Sequence, residues 1–107
     1  MINETEFHRL ANNTLQTLSD ALEKADETSL LTLEMENSII TIELQDGRQF
    51  IISKHTPSRQ LWLSSPVSGG LHFSCNAEGQ WILADGRTLG GVLSKELQTI
   101  ADIQVTF

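Results

Sequence analysis

The chain of 107 residues holds a single cysteine, Cys75. An intramolecular disulfide is therefore impossible, and a lone thiol fits a reducing compartment. Basic side chains are few, seven against fourteen acidic ones, and they form no stripe. Nucleic acid is thereby disfavoured as a partner. No apolar run approaches the roughly 20 residues that would span a bilayer. The first ten residues have neither a basic region nor an apolar stretch, so no signal peptide is expected. There is no HExxH, no CxxC and no phosphate-binding loop. Ser64, Ser65 and Ser68 lack a nucleophile-elbow context, and Cys75 has no activating neighbour in sequence. No catalytic triad can be read, and no enzymatic activity is expected. What remains is one acidic domain, residues 1–107, with no membrane partner and expected in the cytoplasm.

What the chain does have is asymmetry of charge. Glu4, Glu6, Asp20, Glu23, Asp26, Glu27, Glu34 and Glu36 all fall in the first 36 positions. Only Arg9 and Lys24 oppose them there. Nearly all of the net charge of −7 thus sits at one end of the sequence. A small domain charged along one edge attracts cations and basic surfaces.

Periodicity places these residues. Phe7, Leu10, Ala11, Leu15, Leu18, Leu22 and Ala25 recur at three- and four-residue spacing, one apolar stripe of a helix over roughly residues 4–26. Leu31, Leu33 and Met35 then alternate with polar neighbours, as in a strand with one buried face. Asn37-Ser38 supplies a turn, and residues 39–44 read as a second strand. Asp46-Gly47 carries a hairpin signal. Strands follow around Phe50 to Ile52, Gln60 to Ser64, Leu71 to Cys75 and Trp81 to Leu83. A second helix is expected after Thr88, its N-cap, with Leu89, Val92, Leu93, Leu97 and Ile100 as its stripe. Gly90-Gly91 inside it costs roughly 1 kcal/mol per glycine against alanine. Helix, antiparallel strands, helix is an α+β pattern, with two helices packed on one face of an antiparallel β-sheet. The other face of the sheet must meet solvent or a partner.

Three groups of residues could carry function. Asp20, Glu23 and Glu27 share one helical face at i, i+3 and i+7, with Asp26 on its flank. A first strand packed beside this helix extends the carboxylates to Glu34 and Glu36. Oxygen ligands of this kind suit hard cations, including Ca²⁺, Mg²⁺, Mn²⁺ and iron. An exposed array binds them weakly; the alternative is a solvated face that keeps the protein soluble. The like charges cost a few tenths of a kcal/mol per pair, which a bound cation or a basic partner would relieve. Glu4 and His8, four apart, form a weaker candidate ligand pair. His55 and His72 read as isolated residues in a turn or on a strand surface. In the Trp62 strand, Leu61 and Leu63 are the better core pair, so Trp62 is predicted to face outward with Gln60 and Ser64 as an interface anchor.

The chain resembles the frataxin family, in its bacterial CyaY branch. The resemblance rests on Glu6-Phe7-His8-Arg9-Leu10-Ala11, on residues 57–69 around Trp62, and on the Leu89, Leu93, Glu96, Leu97 helix. It implies an α-β-α sandwich and a role in iron–sulfur cluster assembly, as regulator, iron donor or both. It implies weak binding of Fe²⁺ and Fe³⁺ by an acidic ridge mapping onto Asp20, Glu23, Asp26 and Glu34, with Glu27 adjacent. It further implies that this ridge docks on the cysteine desulfurase, and that Trp62 and Gln60 meet the iron–sulfur scaffold protein. A monomer is expected. Ridge positions often acidic in the family are here Ser19, Lys24, Thr28, Leu30 and Thr32, and Ser53 stands where an asparagine is common.

Overall fold

A computed structural model describes residues 2–26 and 30–107. Helix α1 spans Glu4–Ala25. Asn3 caps it, its side chain accepting the Glu6 N–H at 2.8 Å, which satisfies one orphan donor of the first turn. The helix buries Phe7, Ala11, Leu15, Leu18 and Leu22, the stripe expected from spacing, together with the small Ser19. Leu10 and Ala25 pack at its margin.

Six strands follow: β1 (Thr32–Glu36), β2 (Ile39–Glu43), β3 (Gln49–His55), β4 (Gln60–Ser65), β5 (Gly69–Cys75) and β6 (Trp81–Ile82). They pair in chain order as one antiparallel sheet. Helix α2 (Leu89–Ala101) closes the chain. The Thr88 hydroxyl accepts the Gly91 N–H at 3.0 Å and caps it, as expected. The two helices cover one face of the sheet. The core there is built from Ile40, Ile42, Phe50, Ile52, Leu61, Leu63, Phe73 and Trp81 of the sheet, facing the helix stripes. No helix among the described residues is long and apolar enough to cross a membrane.

Turn chemistry fixes the register. Asn37 and Ser38 have φ of 53° and 62°, both left-handed, as a two-residue turn of the I′ kind requires. The loop after β2 is a five-residue closure: Leu44 N–H donates to Arg48 O and Gly47 N–H to Leu44 O. The loop from Leu83 to Arg87 repeats both bonds, as does that from Asn76 to Gln80. The Arg48 side chain holds the Asp46 carboxyl below its ordinary range. At Asp85 the backbone N–H of Arg87 is the leading cause of the same shift. A depressed carboxylate adds stability above its unfolded pKa and loses it as pH falls through the folded one. Both pairs are exposed, so that contribution is small.

The glycine pair in α2 has a steric reason. A Cβ on Gly90 would stand 2.9 Å from Phe107 Cβ, and one on Gly91 would stand 2.9 Å from the Thr88 hydroxyl. Gly90 lets the C-terminal residue cross the helix closely, and Gly91 leaves room for the cap. The helix-propensity cost is the condition for both contacts.

One strand differs from its reading in sequence. Leu31 is buried and Leu33 half-buried, but Met35 is 43% exposed. β1 is the outermost strand among the described residues, with β2 on one side and no strand on the other. An alternating pattern fixes which face a side chain takes; it does not supply the neighbour that covers it.

Candidate functional site

The predicted ridge residues do not gather at one point. Asp20 and Glu23 are exposed on α1. Asp20 accepts a hydrogen bond from Gln16 Nε2 at 2.9 Å, one turn back along the helix. Glu34 and Glu36 pair with Thr41 and Ile39, whereas Leu33 and Met35 pair with the buried Ile42 and Ile40. The two strand carboxylates therefore project to the open face of the sheet, opposite the helices. Helix and strand carboxylates share the α1–β1 edge of the molecule but stand on different sides of it. Glu27 lies outside the described residues. Among the described residues, no three His, Cys, Asp or Glu side chains are grouped so as to hold a metal ion.

Asp26 has a different occupation from the one its place in the acidic run suggests. It is the C-cap of α1, its N–H donating to Leu22 O at 3.0 Å. Its carboxylate accepts the Leu30 N–H at 2.7 Å through one oxygen and the Leu31 N–H at 2.9 Å through the other. It ties the end of the helix to the approach of β1. Asp26→Ala removes both acceptors. It is expected to lower stability by about 1–3 kcal/mol, read from the urea midpoint, while Asp26→Asn, keeping one acceptor, costs less. Equal stability of wild type and Asp26→Ala would show that the carboxylate is not structural.

Glu4 and His8 do come together, with His8 Nε2 3.6 Å from Glu4 Oε1. The other ring nitrogen, Nδ1, is 3.1 Å from Lys54 Nζ. An ammonium only donates, so Nδ1 accepts and the ring proton sits on Nε2, toward Glu4. Both nitrogens are engaged and a cation already stands beside them. Lys54 also donates to Asn12 Oδ1 at 3.0 Å. This cluster fastens β3 to α1.

The second site is on the open face. Leu61 and Leu63 are buried, and Trp62 points the other way, as alternation predicts. It is half-buried, because two imidazoles cover its two ring faces. His55 stacks on the indole with centroids 3.7 Å apart, and His72 with centroids 4.1 Å apart, each tilted by only 10°. His72 is the direct cross-strand partner of Trp62, and His55 ends the strand on the other side. Trp62 Nε1–H donates to Gln60 Oε1 at 3.0 Å. Gln60 also accepts from Ser58 Oγ at 2.9 Å and donates through Nε2 to Ser74 Oγ at 3.2 Å. The rotamer of Trp62 is fixed on every side. Spacing along the chain could not join His55 and His72 to one ring; the pairing register of β3, β4 and β5 does.

Next to this face the β4–β5 turn is held from below. Ser65 Oγ–H donates to Glu96 Oε1 at 2.5 Å and accepts the N–H groups of Val67 and Ser68 at 2.9 and 3.1 Å. Glu96, of α2, is 9% exposed. Cys75 lies half-buried on the core side of β5, and burial pushes its thiol up, with the Glu6 charge a smaller cause. A thiol kept protonated is a poor nucleophile or metal ligand.

These two features, a segregated acidic edge and a tryptophan locked on an open sheet face, occur within a fold that is itself recognisable. The chain matches the family model of the frataxin-like domain over residues 1–103. It belongs to the frataxin family. It is 36% identical over 102 residues to the iron-sulfur cluster assembly protein CyaY of Vibrio cholerae, covering 94% of each chain. It is 38% identical over 81 residues to the protein of the same name from Vibrio vulnificus, covering 76% of this chain and 74% of that one. Among solved structures, the frataxin of Psychromonas ingrahamii superposes with a TM-score of 0.86 at 25% identity, over 97% of this chain and 96% of that one. A trimeric frataxin of Saccharomyces cerevisiae complexed with ferrous iron gives a TM-score of 0.72 at 29% identity, over 84% and 83% of the two chains. For this family member the two helices and the six-stranded antiparallel sheet are the shared frame.

Proposed function

We propose that this frataxin acts in iron–sulfur cluster assembly as a docking protein and regulator, with iron as a weakly held cargo. The acidic α1–β1 edge meets a basic surface of the cysteine desulfurase. The open sheet face around Trp62 and Gln60 meets the scaffold protein. The observation that carries this reading is the separation of the two surfaces. Negative charge without apolar cover lies along one edge, and a preorganised aromatic group lies on a face that no helix covers. The first suits electrostatic encounter, and the second suits a buried anchor.

Membership of a family in which relatives are named for iron–sulfur assembly, and in which a yeast member is complexed with ferrous iron, supports the choice of iron. Asp20, Glu23, Glu34 and Glu36 offer oxygen ligands that hard cations accept. They are exposed and lack a grouped third partner among the described residues. Iron is then held loosely and other divalent cations compete. Nothing in this arrangement requires catalysis by the protein itself. The protein works as a monomer in the bacterial cytoplasm.

Titration with Fe²⁺ under anaerobic conditions, followed by ¹H–¹⁵N spectra, tests the cargo. Broadening is expected at Asp20, Glu23, Glu34 and Glu36; uniform or absent change would remove iron from the proposal. A second reading, a pure interaction module with incidental metal binding, draws on the engagement of Asp26 by backbone amides. Reversal at two exposed positions, Asp20→Lys with Glu23→Lys, separates the readings. Loss of desulfurase capture in the presence of chelator supports the module. Loss only when iron is present supports cargo-dependent docking. Unchanged capture in both conditions overturns the acidic edge as a contact.

A further inference from the structure

The sheet has two ends, and they are not alike. At one end β6 is only two residues long, and Ile82 beyond β5 already bridges to Thr88. At the other end β1 presents five residues, four of them exposed, to no further strand among the described residues. A two-residue I′ turn closes on a hydrogen-bonded pair, here Glu36 with Ile39. Alternation then makes Glu34–Thr41 and Thr32–Glu43 the other bonded pairs, and leaves the N–H and C=O of Leu33 and Met35 pointing outward. Among the described residues no backbone group outside the sheet ladder bonds to them. The side chains alternate with these groups. Glu34 and Glu36 flank a shallow cleft of about 190 Å³ on the open face, floored by Asn37, Ile39 and Thr41. Met35 lies on the opposite face, 43% exposed.

We propose that the β1 edge is a docking strand that takes an extended segment of alternating basic and apolar residues. This rests on the reading of the acidic edge as the contact for a basic partner, and specifies how that contact is made. An added strand places every second side chain beside Glu34 and Glu36, where lysine or arginine finds an opposite charge across the strand pair. The residues between fall beside Leu33 and Met35, where an apolar side chain covers the exposed thioether. Main-chain bonds to Leu33 and Met35 supply the register. A second copy of this chain is disfavoured, because pairing the full length of β1 antiparallel with itself sets Glu34 against Glu34. The charges that keep the edge from self-association are the ones that select a basic strand.

The test uses the full chain and two synthetic peptides. One has the sequence Lys-Val-Lys-Val-Lys, blocked at both ends. The other is identical except for N-methylation of the amides that would face β1. The first is expected to shift the amide signals of Leu33 and Met35 and to slow their hydrogen exchange. The N-methylated copy should bind about tenfold more weakly or worse, the loss of two backbone hydrogen bonds. Glu34→Lys with Glu36→Lys should abolish binding of the first peptide without lowering the melting temperature. Equal binding of the two peptides, shifts confined to α1, or no binding of either peptide would overturn edge pairing. Desulfurase capture by the wild type reports separately on the wider acidic-edge reading, which stands if capture persists.

Discussion

Truncation of Phe7 to alanine is expected to destabilise the protein by about 3–5 kcal/mol. Phe7 is fully buried on α1, and its ring meets Trp81 edge-on, with centroids 6.0 Å apart and planes at 74°. The same tryptophan donates its indole N–H to Thr14 Oγ1 of α1 at 2.8 Å. Phe7 and Thr14 thus clamp the helix to the far end of the sheet, while Asp26 fastens its other end. Removing the ring leaves a void between two elements that are each held by the rest of the core, so collapse around it is limited. A domain of this size has about 5–15 kcal/mol of stability in total. The variant should show a melting temperature lower by about 15 °C or more and a lower urea midpoint with an unchanged slope. A loss below about 1 kcal/mol would mean that α1 is anchored elsewhere. Because the acidic edge is carried on this helix, desulfurase capture should fall with temperature in parallel with unfolding, not before it.

The second large effect concerns binding. Trp62→Ala should weaken scaffold-protein binding by at least about 2 kcal/mol, roughly 30-fold, as expected of a central aromatic anchor. The cost in stability should be much smaller, since Trp62 stands on the open face and not in the core. The His55 and His72 rings hold the indole in one orientation in the free protein, which lowers the ordering cost for a partner that takes it. His55→Ala or His72→Ala should therefore weaken binding by less than Trp62→Ala, and Trp62 fluorescence should report greater ring mobility in each. Calorimetric titration of scaffold protein into the three variants gives the ranking. Unchanged affinity in Trp62→Ala would remove this face from the docking surface. A loss of affinity matched by an equal loss of stability would mark the stack as structural only.

Much of the architecture is legible in the sequence. The α1 stripe, the Thr88 cap, the two-residue turn at Asn37-Ser38 and the outward Trp62 follow from local rules that tertiary contacts here reinforce. The glycine pair in α2 was legible only as a cost. For Gly90 the reason is the approach of Phe107, seventeen positions away in the chain, and for Gly91 it is the hydroxyl of the Thr88 cap. The candidate site was legible in outline only. Asp26 reads like its acidic neighbours, but the helix ends one residue before it, and a carboxylate at a helix end meets free backbone N–H groups. Glu34 and Glu36 read as a continuation of the helix carboxylates. The parity of the β1–β2 register sends them to the other face.

By itself the sequence determined the helices, the strands, the turns and the sign of the charged edge. Each of these depends on residues within a few positions of one another: apolar spacing, caps, left-handed turn residues and the crowding of carboxylates into the first 36 positions. The tertiary structure alone decided which carboxylates remain free and which hold the backbone. It decided that two distant histidines sandwich Trp62, and that β1 is left as an open edge. These are outcomes of register and of what lies beyond each element, and residues far apart in the chain acquire neighbours only when the sheet is assembled.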